Sequence, residues 1–233
     1  MSNLRTIVKG LPLVGPLSLK VFHLLNPKVF PGSAEYWESR YATGDNSGSG
    51  SYSHLAHFKA DFINDFVKKN QIKDVIEFGV GDGNQLTLAE YPTYIGLDVA
   101  RTAIMMCMEK FKGDKTKSFY MYDSRAYQDN HGIFKAELAM SLDVLFHLIE
   151  DEVFGNYLKH LFQASNKYVI VFSSNFEKEQ TFHEKDRVFA KWVEQNITGF
   201  DLLEIVKNAY PYDKNDPDNT SKADFFIYRK KGA

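Results

Sequence analysis

The chain has 233 residues, 44% of them hydrophobic, and a net charge of −2. That is enough apolar material for the core of one α/β domain and too little positive charge for general nucleic-acid binding. Its single cysteine, Cys107, excludes a disulfide framework and makes a reducing, cytoplasmic setting the expectation.

The first segment is a basic, apolar arm. Residues 1–34 carry Arg5, Lys9, Lys20 and Lys28 and no acid, and Gly10, Pro12, Gly15 and Pro16 interrupt the apolar run well short of the roughly 20 residues a membrane span needs. No unbroken apolar core ahead of a small-residue cleavage site marks a signal peptide. A helix over 17–25, with Lys20 on its polar side, suits a peripheral contact with the inner membrane surface or with a partner. It equally suits an arm packed on its own domain or on the mate of a homodimer.

An aromatic and basic cluster follows, Tyr36-Trp37-Glu38-Ser39-Arg40-Tyr41, and then a run of small residues from Gly44 to Tyr52. Small residues alone read as a linker, but Trp37, Arg40 and Tyr52 at the borders suit a lid over a ligand that carries carboxylate or phosphate. Residues 1–52 are therefore read as arm and lid, and 53–233 as the main domain. The latter opens with a helix over 53–69, whose Leu55, Phe58, Phe62, Ile63 and Phe66 have the spacing of one buried face.

A strand over 74–78 then runs into the turn Glu77-x-Gly79-x-Gly81-x-Gly83. Asn84 stands where the dinucleotide fingerprint needs its last glycine, and Glu77 would repel a pyrophosphate but attract an ammonium or sulfonium group. A helical stretch is expected at 84–90. The strand at 93–98 ends in Asp98, a carboxylate placed to take the hydroxyls of a ribose. On these residues the chain resembles the class I S-adenosylmethionine-dependent methyltransferases, whose first motif looks like Glu77–Gly83 and whose second ends in an acid like Asp98. The resemblance implies S-adenosylmethionine as cofactor and S-adenosylhomocysteine as product. It also implies a Rossmann-like sheet of seven strands, mostly parallel with an antiparallel last strand, and helices on both faces.

The remaining elements fit that order: a helix at 100–112, strands at 117–122, 137–142 and 167–173, helices at 150–165 and 184–196, and two strands, 201–208 and 223–229, expected to pair antiparallel. Ligands of such sheets lie beyond the carboxyl ends of the strands. There the resemblance implies adenine contact for Asp123, with Ser124 beside it, although either residue also suits a helix N-cap. It places Asp143 near the transferred methyl group. His147 is the general-base candidate, or else a satisfied histidine facing the cofactor. Past the fifth strand, His183 and Arg187 would share a face of the 184–196 helix, either turned to an anionic acceptor or to solvent.

A narrower resemblance, to methyltransferases of bacterial surface and capsular polysaccharide biosynthesis, rests on Trp37-Glu38-x-Arg40-Tyr41, Ser173-Ser174-Asn175, His183-x-x-x-Arg187 and Asp224-Phe225-x-x-Tyr228. It implies O-methylation of a small acceptor of sugar or phosphoryl type, phosphoramidate included. Trp37 and Arg40 would then meet the cofactor, with Arg40 on the methionine carboxylate. Tyr52 and His183 would join the reaction pocket, and Tyr41, Asn175 and Arg187 would meet the acceptor. No His, Asp or Cys set has metal-ligand spacing, so no metal is expected. A nucleotide-cofactor oxidoreductase and a non-catalytic, cofactor-binding partner subunit are the alternatives.

Overall fold

The structure is a computed structural model that describes residues 29–233. The expected helix at 17–25 and the four basic residues of the arm lie outside the described residues. Gly32–Ala233 forms one compact unit, so residues 32–52 fold with the sheet. Among the described residues no helix is long and apolar enough to cross a membrane.

The unit is built on a seven-stranded sheet in the order β3-β2-β1-β4-β5-β7-β6. Its strands are β1 (Val75–Phe78), β2 (Tyr94–Asp98), β3 (Lys117–Met121), β4 (Ala136–Leu142), β5 (Ser165–Ser173), β6 (Phe200–Val206) and β7 (Asp224–Lys230). The pairs from β3 through β5 are parallel, and β7 runs antiparallel to both β5 and β6. The helices are α1 (Ser33–Ala42), α2 (Ser53–Lys69), α3 (Arg101–Lys110), α4 (Asp151–Gln163) and α5 (Phe189–Asn196).

Both faces of the sheet are covered, which explains why β1 and β4 are nearly continuous apolar runs rather than alternating ones. On one face Ile63 and Val67 of α2 and Ile104 and Cys107 of α3 pack on Val75, Leu138 and Ile170. On the other, Leu158 and Leu161 of α4 and Phe189 and Val193 of α5 pack on Ile76, Phe78 and Val169. Leu158 is fully buried. Leu158→Ala should therefore cost about 2–5 kcal/mol in urea unfolding, and Leu158→Met under about 1.5 kcal/mol. Similar losses for both would show that a cavity is not the cause.

Two expected helices differ. The 84–90 stretch is only a 3₁₀ turn, Gln85–Leu88, because Ala89 is already extended and Pro92 disfavours helical backbone at Tyr91. The 184–196 helix begins at Phe189. Buried Asp186, held by Ser174 and Lys222, keeps the preceding residues in a loop.

Candidate active site

From β1 the chain runs outward through β2 to β3 on one side and then crosses back to β4 on the other, so a crevice opens beyond the strand ends at β1 and β4. A cavity of about 510 Å³ fills that crevice. The 79–83 turn forms its floor. Gly79 and Val80 donate to the carbonyl of Leu97, Gly81 to Asp98 Oδ2, Asp82 to Ser47 Oγ and Gly83 to the carbonyl of Val80. With each of these N–H groups engaged and no α-helix beginning at Asn84, the turn has no cradle for a pyrophosphate.

Two buried carboxylates flank the turn. Glu77 accepts the Tyr94 hydroxyl at 2.5 Å, and burial pushes its carboxyl up to about 7 against the lowering effects of Tyr94 and Lys59. Asp98 accepts from Gly81 and Ala100 N–H, each at 2.8 Å; burial raises it to about 6 despite those bonds. Among the described residues neither is in an ion pair. Both line the cavity. Buried carboxylates with no ion-pair partner beside an open cavity favour a cationic, hydroxyl-bearing ligand.

The far wall comes from β4. Asp143 has a φ of 59° and an ion pair with Lys59 Nζ at 2.6 Å. Lys59 is buried on α2 and its pairing with Asp143 was not legible in the spacing of either residue. The available signal was its position four residues from both Leu55 and Ile63, on the apolar face. His147 ends the 3₁₀ turn Leu145–His147, and its Nδ1 donates to the carbonyl of His183 at 3.1 Å. Nε2 therefore keeps its lone pair. Desolvation holds the imidazole below its usual range.

The roof is α1 and the loop after it. Ser33 Oγ donates to Glu150 Oε2 at 2.6 Å, and Glu38 accepts from the N–H and hydroxyl of Thr102 at the start of α3. Asp82 Oδ2 accepts from Ser47 N–H and the Tyr52 hydroxyl, tying the loop to the glycine turn. Trp37, Tyr41 and Ser47 thereby line the cavity. Glu150 and Asp82 do this anchoring without any motif that marks them in the sequence. At Gly81, φ is +60° and a Cβ would lie 2.4 Å from Ser47 Oγ. Gly81→Ala should lower stability by roughly 2 kcal/mol and speed hydrogen exchange at Ser47; unchanged exchange there would show that the lid does not rest on this turn.

Of the residues expected at the site, the fold brings Trp37, Tyr41, Glu77, Gly79, Gly81, Asp98, Asp123, Ser124, Asp143 and His147 to the cavity. Asp123 also caps a turn, accepting from Arg125 N–H. The others lie elsewhere. Gly83 packs against Cys107 and Phe111. Arg40 Nε donates to the carbonyl of Asn46 and its guanidinium pairs with Asp45 at 3.4 Å within the lid, outside the cavity lining. Tyr52 donates its hydroxyl to Asp82, and burial with that bond pushes its phenol up to about 12. Asn175 Oδ1 accepts from Ala190 N–H at the start of α5. Arg187 holds the carbonyls of Leu148 and Ile149 and the Asp151 carboxylate, with its guanidinium over Phe154. Because no helix spans 183–187, the shared face expected for His183 and Arg187 does not form. His183 stacks instead on Tyr36, with centroids 5.0 Å apart, and on His147. Ligand atoms of His147, His183 and Glu184 lie within 4.8 Å of one another, a grouping that sequence spacing could not show.

No family profile and no curated protein sequence matches the chain. Solved structures do match. The N-methyltransferase NodS from Bradyrhizobium japonicum WM9, in complex with S-adenosylhomocysteine, aligns over 86% of this chain and 99% of its own at 12% identity, with a TM-score of 0.62. Magnesium protoporphyrin IX methyltransferase from Synechocystis PCC 6803, with bound S-adenosylhomocysteine, aligns over 86% of this chain and 96% of its own, at 14% identity and a TM-score of 0.57. The methyltransferase domain of a bacterial Hen1 protein aligns over 75% and 98%, at 18% identity and 0.56. Strand order, the reversed β7 and these alignments together show that the chain has the Rossmann-like fold of the S-adenosylmethionine-dependent methyltransferases.

Proposed function

We propose that the protein is an S-adenosylmethionine-dependent methyltransferase that methylates an oxygen of a small sugar- or phosphoryl-type acceptor, phosphoramidate included, in bacterial surface polysaccharide biosynthesis. The observation that carries the cofactor class is the pair Glu77 and Asp98, buried, unpaired by cations and open to one cavity beside a turn whose N–H groups are already engaged. Such a site suits the ammonium and ribose of S-adenosylmethionine and opposes the pyrophosphate of a nicotinamide or flavin cofactor. The structural neighbours that hold S-adenosylmethionine or its product support the same reading.

The bound cofactor supplies a sulfonium methyl group for in-line displacement, in which the acceptor oxygen forms a bond to carbon and sulfur keeps the electron pair. The chain's part is alignment and exclusion of water. Glu77 holds the cationic end and Asp98 the ribose. Trp37 and Tyr41 close the roof, and Asp143 and His147 present polar atoms at the wall. The sugar or phosphoryl acceptor rests on the narrower motif resemblance. The basic, apolar arm suits a peripheral contact with the inner membrane surface.

Isothermal titration with S-adenosylhomocysteine and with NAD(H) tests the cofactor class: binding of the first and silence with the second is expected, and the reverse would overturn the proposal. A mass-spectrometric screen over nucleotide sugars, sugar phosphates and phosphoramidates reads the gain of one methylene. Binding without turnover across that panel would favour a non-catalytic subunit.

A further inference from the structure

We propose that His147, His183 and Glu184 form a divalent-metal site beside the cavity, reached through His147, the one member of the three that lines it, and that the cation holds the acceptor oxygen. The second half rests on the methyltransferase reading; the first does not.

Two imidazoles and a carboxylate are a donor set for first-row transition ions, and three protein ligands leave coordination positions open for substrate oxygen. The segments that carry them are fastened together. Lys185 N–H donates to the carbonyl of Phe146 at 2.8 Å, and His147 Nδ1 donates to the carbonyl of His183. A ligating histidine characteristically gives its other ring N–H to such a carbonyl, which fixes the tautomer and aims the free nitrogen.

The donors lie within 4.8 Å of one another, whereas metal bonds of about 2.0–2.2 Å need them about 3–4 Å apart. The two rings are stacked, 9° from parallel, so one must turn to bring both lone pairs onto one ion. His183, on the loop before α5, is the one placed to turn, leaving its stack on Tyr36. Glu184 shares Lys222 with Asp186, so Lys222 keeps a carboxylate partner when Glu184 moves to the metal. His147 also lines the cavity, so an ion it binds lies next to the space for the acceptor. There it lowers the pKa of a bound hydroxyl, whose proton leaves to solvent before the oxygen attacks the methyl carbon and the carbon–sulfur bond breaks.

The test uses the untagged full chain, stripped with chelator and titrated with Co²⁺ without cofactor. Visible absorption reports the ion, and the change in tryptophan fluorescence, read in a Trp192→Phe background, reports Trp37, whose ring lies 4.9 Å from that of His147. One saturable equivalent is expected, with affinity reduced at least about tenfold in both His183→Ala and Glu184→Gln. A silent wild type, or spectra identical in wild type and both variants, overturns the metal site. S-adenosylhomocysteine binding, measured in parallel, separates the two readings. Its retention without Co²⁺ binding removes only the metal, and its absence with Co²⁺ binding removes only the methyltransferase.

Discussion

Glu77→Gln should weaken S-adenosylhomocysteine binding by about 100-fold or more while making the ligand-free protein more stable at high pH. Glutamine still accepts the Tyr94 hydroxyl, so the local packing persists. What disappears is the buried charge that meets the ligand's ammonium, and truncating one side of a buried, hydrogen-bonded charge pair costs about 2–5 kcal/mol. The stability effect follows from the same charge. Burial raises the Glu77 carboxyl from 4.5 to about 7. Between those values the folded protein holds a proton that the unfolded chain has released, so stability is full below pH 4.5 and falls as pH rises through 7. The total loss is on the order of 3 kcal/mol, and Gln has none of it. Asp98, raised from 3.8 to about 6, adds a loss of the same sign in both proteins. Urea midpoints at pH 5 and pH 8 should diverge, with the variant gaining on the wild type at the higher pH. Parallel pH dependence in the two proteins would show that Glu77 is not the buried anion of the site. Ligand binding should reverse the trend, so that the rise in Tm on adding S-adenosylhomocysteine is larger at pH 8 than at pH 5.5.

Lys59→Met is expected to lower stability by about 3–5 kcal/mol, the cost of leaving one member of a buried ion pair alone. Asp143 is the member left behind, at a positive φ that Asp and Asn tolerate better than other residues with side chains. The double variant Lys59→Met/Asp143→Asn should therefore recover at least half of the loss, since it removes the stranded charge and keeps the backbone conformation. Lys59→Met alone within about 1 kcal/mol of wild type would mean that solvent reaches Asp143 and that the pair is not structural. The cavity should register the change too. Lys59 lowers the Glu77 carboxyl, so its removal pushes that group further up and weakens cofactor binding near neutral pH, most below pH 7.

The floor of the site was legible because its geometry is local. Gly79 and Gly81 need positive φ, Glu77 and Asp98 end short apolar runs, and a strand period of two or a helix period of 3.6 announces each element before any tertiary contact exists. The shared face inferred for His183 and Arg187 failed for a long-range reason: Ser174 and Lys222 hold Asp186 in a loop where the local pattern allowed a helix. Arg187 and Asn175 read as ligand contacts because guanidinium and amide groups suit anions, but the same donors and acceptors also satisfy backbone groups left without a partner, and here the carbonyls of buried Leu148 and Ile149 and the N–H of Ala190 meet them.

By itself the sequence determined the α/β order, the glycine turn and its two acids, set by backbone conformation and apolar periodicity within a few residues, and the antiparallel pairing of the last two strands, which have no crossover helix between them. The tertiary structure alone decided the pairing of Lys59 with Asp143, the clasp of Ser33 on Glu150, the anchoring of the lid by Asp82 and the meeting of His147 with His183 and Glu184. These partners are far apart along the chain, and their side chains become neighbours only after the crossovers have stacked the elements, which no local period encodes.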